Sequence, residues 1–185
     1  MHASRFPSAT FDFAPLRRVS AFACFMAAGL ATSLAGADAA VAVLQPTEGN
    51  SVHGVIRFAP APDGVRVTAL ISGLAPGKHG FHVHEYGDAT ARDGSTAGGH
   101  YNPGHRAHGA PDALNRHEGD LGNITADADG NATVNFVDPQ LSLDGPNSII
   151  GRSVVVHAKA DDLTSQPSGN AGPRVAVGVI GIAKD

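Results

Sequence analysis

The amino-acid sequence predicts an all-β fold, an eight-stranded antiparallel Greek-key β-barrel or sandwich with two long functional loops. Three observations carry this. The 185 residues include 23 Gly and 12 Pro, no Trp and only 16% charged residues, a turn-rich and helix-poor composition. Short alternating or apolar runs recur along the chain, each the length of a strand. The links between them hold the Gly, Pro, Asn and Asp that tight turns need. A hydrophobic content of 42% and this length suit one domain with its own core.

The first 39 residues stand apart and are read as a signal peptide, leaving 40–185 as the domain. Arg17 and Arg18 precede a charge-free run from Val19 to Ala37, and Ala37, Asp38 and Ala39 form an A-x-A cleavage pattern. The run is long enough to be weighed as a membrane anchor, but its Ser, Thr and Gly make it weakly apolar for that. Cleavage after Ala39 is therefore expected, with no stable membrane insertion afterwards and a periplasmic or extracellular location. The sixteen residues before the arginine pair are long for a leader; either translation starts later or the paired arginines serve export. Cleavage removes three basic and two acidic residues, taking the net charge from −4 to −5, which argues against a nucleic-acid partner. Cys24, the only cysteine, leaves with the leader, so the mature chain has no disulfide, no thiolate nucleophile and no thiolate metal ligand.

The strands are expected at "AVAVL" (40–44), "SVHGVIRF" (51–58), "VRVTALIS" (65–72), "KHGFHVH" (78–84), "DLGNITA" (120–126), "ATVNFV" (132–137), "SIIGRSVVVHA" (148–158) and "RVAVGVIGIA" (174–183). The links "PTEGN", "PAPDG", "LAPG" and "DADGN" predict that most sequential neighbours are hairpins. Two segments, 85–118 and 161–173, are too long for hairpin turns, and long loops in a small domain usually carry function.

Histidines mark where the chemistry lies. Residues two apart in a strand share a face, so His82 and His84 point one way and Phe81 and Val83 into the core, with His79 on the core side. A single strand histidine is most simply hydrogen-bonded to a neighbour. Two on one face are better read as metal ligands, because neutral imidazole suits zinc and copper. The first loop adds His100, His108, His117 and Asp120, and a later strand ends in His157. Three imidazoles and a carboxylate suit Zn²⁺, an all-imidazole set suits copper, and the chain has donors for both. His53 and His105 are read as solvated, and His2 lies in the leader.

The segments "GFHVHEYGD", "GGHYNP", "HEGDLGNITADADG", "IIGRSVVVHAKADDL" and "GNAGPRVAVGVIGIA" resemble, in order, the signature segments of copper/zinc superoxide dismutases. The resemblance spans 40–185 and its spacing is similar to the eukaryotic-type branch. It implies one copper held by His82, His84, His100 and His157, and one zinc held by His100, His108, His117 and Asp120. It implies a His100 imidazolate bridging the two, and Asp161 hydrogen-bonded to one ligand of each metal. Arg174 matches the arginine that guides a small anion to copper, and His79 a structural histidine supporting that site. The activity implied is dismutation of the superoxide anion to O₂ and hydrogen peroxide, an antioxidant role, with His100 as proton donor. The implied partners are a second copy of the chain, through Gly87, Ile149–Arg152 and Ile182, and a copper chaperone.

Two departures stand out. Gly94 and Val177 occupy the positions of the family's intrachain disulfide, which predicts a loosened 87–99 loop unless packing compensates, and greater dependence on metal for stability. The loop from His157 to Arg174 is shorter than in eukaryotic-type relatives and lacks their steering charges, so Arg174 carries more of the guidance. A lower rate with weak salt dependence is expected. A non-catalytic periplasmic copper/zinc binding protein of the same fold is the alternative; it predicts loss of copper ligands or of Arg174, and all are present. An adhesion module would explain the strands but not the ligands. The triplets at Asn123 and Asn131 fit N-glycosylation acceptors, and such triplets also occur by chance.

Overall fold

A computed structural model describes residues 39–184, so the leader up to Asp38, Cys24 included, lies outside the described residues. Eight strands follow in order: β1 (Ala40–Pro46), β2 (His53–Ala61), β3 (Gly64–Ser72), β4 (Gly77–His84), β5 (Asp120–Ala126), β6 (Ala132–Asp138), β7 (Ser153–His157) and β8 (Arg174–Ile182). The one helical element among the described residues is a 3-10 turn, Ser95–Ala97. Among these residues no helix is long and apolar enough to cross a membrane.

Every strand pair is antiparallel, and the spatial order β5-β4-β7-β8-β1-β2-β3-β6 is that of a nearly closed Greek-key barrel. Alternation drives this arrangement. Along β3, Val65, Val67, Ala69 and Ile71 turn inwards, and they meet Ile56 and Phe58 of β2 and Phe81 and Val83 of β4 in one core. Strand β4 departs from simple alternation, since everything from His79 to His84 is buried. Its inner face packs in the barrel and its outer face lies under the long loops.

Two expectations need correction. "PTEGN" and "PAPDG" do close hairpins, joining β1 to β2 and β2 to β3. "LAPG" does not: β3 pairs with β6, while β4 pairs with β5 and β7, so this link crosses between sheet halves. "DADGN" joins β5 to β6, which are the two ends of the strand order and not ladder partners. Turn residues permit a reversal without choosing which strand is met after it, and inward burial makes that choice. The second correction is the start of β7. Residues 148–152 form a turn, with Gly151 at φ 84 and Arg152 N–H donating to Ile149 carbonyl at 3.0 Å, so pairing begins at Ser153.

The segment after β4 is held although it has no disulfide. Tyr86 and Glu85 N–H groups donate to the Ala97 and Gly99 carbonyls, and Ser153 Oγ donates to Tyr86 carbonyl at 2.7 Å. Ala97 packs in a small buried cluster with Val155 and Val177. At Gly94 an added Cβ would lie 2.6 Å from Val177 Cγ2, so the two positions face each other and valine fills the space between. Packing of this kind is the compensation that the missing disulfide calls for.

Candidate metal centre

The strand register assembles the first cluster. Phe81 pairs with Val156 and His84 with Ser153, which brings His157 at the end of β7 alongside Gly80 and onto the face of His82 and His84. Gly80 has to be small there: a Cβ would stand 3.0 Å from His82 Cε1, 3.5 Å from His157 Cβ and 2.7 Å from Ala171 Cβ. His100 joins by bridging to His84 as an isolated antiparallel pair. His82, His84, His100 and His157 are together, as are His100, His108, His117 and Asp120, with the donor atoms of each group within 4.8 Å of one another. His100 lies between the groups, its ring centroid 4.0 Å from that of His82, 5.1 Å from His84, 5.3 Å from His108 and 5.6 Å from His117.

Each ring is anchored through one nitrogen so that the other turns inwards. His84 Nδ1 is 3.0 Å from Gly98 carbonyl and His157 Nδ1 3.0 Å from Gly172 carbonyl, which leaves their Nε2 atoms facing each other at 3.3 Å. His82 Nε2 bonds Asp161 Oδ2 at 2.8 Å and His108 Nε2 bonds Asp161 Oδ1 at 2.9 Å. Asp161 therefore ties one member of each cluster. In the second cluster the Nδ1 atoms of His100, His108 and His117 lie 2.8, 2.9 and 3.1 Å from the single oxygen Oδ1 of Asp120. Its Oδ2 accepts from the Gly109 and His117 N–H groups.

These residues fit the two metals. His82 Nδ1, His100 Nε2 and His108 Nδ1 are buried without a hydrogen-bond partner, which is costly unless a ligand completes them. The His108 case is instructive: Nδ1 approaches Asp120 Oδ1 without the alignment of a hydrogen bond. Converging donors of a metal behave this way, since atoms about 2.0 Å from a tetrahedral Zn²⁺ stand roughly 3.3 Å apart. The second set is N₃O, suited to zinc, and the first is all imidazole, suited to copper.

Electrostatics divides the clusters. Burial, with the neighbouring rings, holds His84 well below the usual histidine range and lowers His157 to about 3. Burial also lowers His100 to about 4, against the pull of Asp120. These imidazoles are neutral and ready to ligate at neutral pH. Burial pulls His108 down too, but its contacts with Asp120 and Asp161 outweigh this and raise it to about 9. Asp120 and Asp161 are desolvated, yet their histidine contacts hold both carboxyls below the usual range. His108 thus stabilises the metal-free fold fully below its unfolded value of about 6.5, a share lost as pH rises through about 9. The same proton must leave when a metal binds. Calorimetry of Zn²⁺ binding to metal-free protein at pH 7.5, in buffers of different ionisation enthalpy, is expected to report about one proton released from His108. Binding with no proton release would contradict this assignment.

Arg174 opens β8 opposite His157. Its Nη1 and Nη2 donate to the carbonyls of Gly94 and Gly98, which fixes the guanidinium, and its charge bears on both His84 and His157. It forms one wall of an opening of about 350 Å³ that also includes Thr47, Glu48, Asp93 and Ser95. Burial lowers the Arg174 pKa and Asp93 opposes that shift. His79 is buried with Nδ1 2.8 Å from His157 carbonyl and Nε2 2.8 Å from Ala75 carbonyl, where it braces the end of β7. Asp162 accepts from the Thr164 and Ser165 N–H groups and so caps its own loop. His53 and His105 lie outside both clusters.

Sequence reasoning missed three supports. Arg116, fully buried, donates to Asp138 Oδ2 at 2.6 Å and to the carbonyls of Pro111 and His117 at 3.0 Å each. Its position next to His117 was the only local signal. Asn123, read as a glycosylation triplet, clasps the Asp161 backbone, accepting from its N–H at 2.7 Å and donating to its carbonyl at 2.9 Å. Gln166 clasps His108 and carried no signal.

A solved crystal structure described as that of the clock protein EA4 is similar at 47% identity and a TM-score of 0.73, covering 80% of this chain and 97% of that one. The family model described as copper/zinc superoxide dismutase (SODC) matches residues 52–180. With that match extending over more than half its length, the chain belongs to the copper/zinc superoxide dismutase family.

Proposed function

We propose that the protein is an exported superoxide dismutase that converts two superoxide anions and two protons to O₂ and hydrogen peroxide. The observation that carries this is His100, buried between two clusters of opposite character and belonging to both. His82, His84, His100 and His157 would hold copper, and His100, His108, His117 and Asp120 zinc. Copper would supply the one-electron exchange, and zinc a fixed charge on the far side of His100. Asp120 anchors His100 at Nδ1, so Nε2 is the atom left to hold the proton that the peroxide takes up. Arg174, locked by two carbonyls, draws the anion in and orients it. Glu48 and Asp93 share that opening, and Glu48 is paired with Arg92 at 3.0 Å, so Asp93 is the acidic neighbour left beside Arg174.

The test is superoxide decay on purified mature protein, with metal analysis of the same sample. One copper and one zinc per chain with rapid decay is expected. Arg174→Ala should keep both metals and lose about tenfold in rate, and the wild-type rate should fall only weakly with ionic strength. An unchanged rate in Arg174→Ala, or a steep salt dependence of a near-diffusional rate, would count against this role. The second reading is a copper/zinc binding protein of the same fold without turnover. It draws on the 47%-identical neighbour being described as a clock protein, and stoichiometric copper with no decay activity would favour it.

For assembly we propose a homodimer. Ile182 of β8 remains 64% exposed, and the 149–152 turn is joined to that strand by Gly151 N–H donating to Ile180 carbonyl. An apolar surface of this kind suits burial against a second copy.

A further inference from the structure

The loop between β7 and β8 does something that its lack of steering charges does not suggest. Its ten residues 161–170 close on themselves. Asp162 N–H donates to Gly169 carbonyl and Gly169 N–H to Ser165 carbonyl, while Asn170 Nδ2 bonds Asp162 Oδ2 and Ser165 Oγ. Asn123 of β5 secures one end by gripping the Asp161 backbone. The loop so held presents Gln166 to the other long loop. Gln166 Oε1 accepts from His108 N–H at 2.8 Å and Gln166 Nε2 donates to His108 carbonyl at 2.9 Å. The carboxamide thus pairs with one residue's main chain as a neighbouring strand would. Gly169 adds contact to the side chain of the same histidine: a Cβ there would lie 1.7 Å from Asp161 Oδ1 and 2.7 Å from His108 Nε2, so only glycine lets the backbone come so close.

We infer that Gln166 is a positioning residue for zinc: by clasping the His108 main chain it holds that ligand against Asp120 and slows loss of the metal. The inference rests on the proposed reading of His108 as a zinc ligand. His108 differs from the other members of its cluster. Asp120 and His117 are three residues apart and share a turn, with Asp120 N–H donating to His117 carbonyl, and His100 is paired to β4. His108 sits in irregular chain eight residues from His100 and nine from His117, and its backbone N–H goes to Gln166. Both carboxamide bonds constrain the same residue, so the clasp fixes position and direction together.

The experiment uses the metal-loaded full domain and reads transfer of Zn²⁺ and of copper to competing chelators, along with the melting temperature of the metal-free form. Gln166→Ala should release Zn²⁺ about tenfold faster than wild type, within the range of lost supporting hydrogen bonds at metal sites. Copper release should quicken much less than zinc release, because Gln166 bonds His108 directly and reaches His82 only through Asp161. Gln166→Glu keeps the acceptor for His108 N–H and loses the donor to its carbonyl, so its zinc release should be intermediate. Equal zinc release by wild type and Gln166→Ala overturns the inference. So does a parallel acceleration of both metals with a lowered metal-free melting temperature, which is the behaviour of a general prop. A wild-type protein that takes up copper but no zinc overturns the reading of His108 itself, and is told apart by metal analysis before any variant is made.

Discussion

Removal of both metals by a chelator is expected to lower the melting temperature by about 10 °C or more. A ligand present at a thousand times its dissociation constant adds about 4 kcal/mol. In a domain of this size each kcal/mol shifts the transition by roughly 2–4 °C. The structure gives the reason for strong coupling. Six histidines and the carboxylates of Asp120 and Asp161 are packed into one region with little or no side-chain exposure, and three ring nitrogens there have no partner in the protein. The two long loops that supply half of these groups, His100, His108, His117 and Asp161, are closed by no disulfide, since the chain's only cysteine is Cys24. The Ala97, Val155 and Val177 cluster holds the segment near Gly94, while the inward-facing nitrogens His82 Nδ1, His100 Nε2 and His108 Nδ1 depend on a bound metal for a partner. Scanning calorimetry of the metal-loaded and metal-free forms is the check. A metal-free protein that melts as high as the loaded one would refute the coupling.

The largest effect of a single substitution is expected at Arg116. Its guanidinium is wholly buried, pairs with Asp138 and gathers carbonyls from the segment that carries His108, His117 and Asp120. Arg116→Ala leaves the Asp138 carboxylate buried against a cavity, a loss of about 3–5 kcal/mol, and loosens the Pro111 to His117 turn. Lowered melting and weaker zinc retention should appear together. Arg116→Lys keeps the charge but cannot reproduce the fork that serves Asp138 and the carbonyls at once, so it should also be destabilising, though less so. Denaturant unfolding of the metal-free forms isolates the stability change from metal binding. Agreement of Arg116→Ala with wild type to within about 0.5 kcal/mol would place Arg116 among ordinary surface positions and sink the argument.

Residue types and short-range spacing already announced much of this protein. Strands such as β3 are visible because a strand half-buried in a barrel has to alternate, and "VRVTALIS" does so whatever surrounds it. The two histidines of β4 were legible as a pair because strand geometry alone puts residues two apart on one face. The resemblance of five segments to one family, whose model matches residues 52–180, suggested the partners of that pair.

What could not be read locally was settled by contacts between distant residues. Whether "LAPG" reverses a strand or crosses between sheet halves depends on where β6 and β7 lie, not on its four residues. Which ring nitrogen turns inwards is set by carbonyls at Gly98 and Gly172, which any sequence would provide and only folding aims. Arg116, Asn123 and Gln166 show the same dependence: Asn123 meets Asp161 across 38 residues and Gln166 meets His108 across 58. Such a clasp leaves no periodicity behind, because a carboxamide gripping a main chain asks nothing of its partner's side chain. Ligand identity is a matter of side-chain chemistry and can be seen in the chain as written. Ligand position is a matter of who holds the backbone, and that exists only once the loops have closed over the barrel.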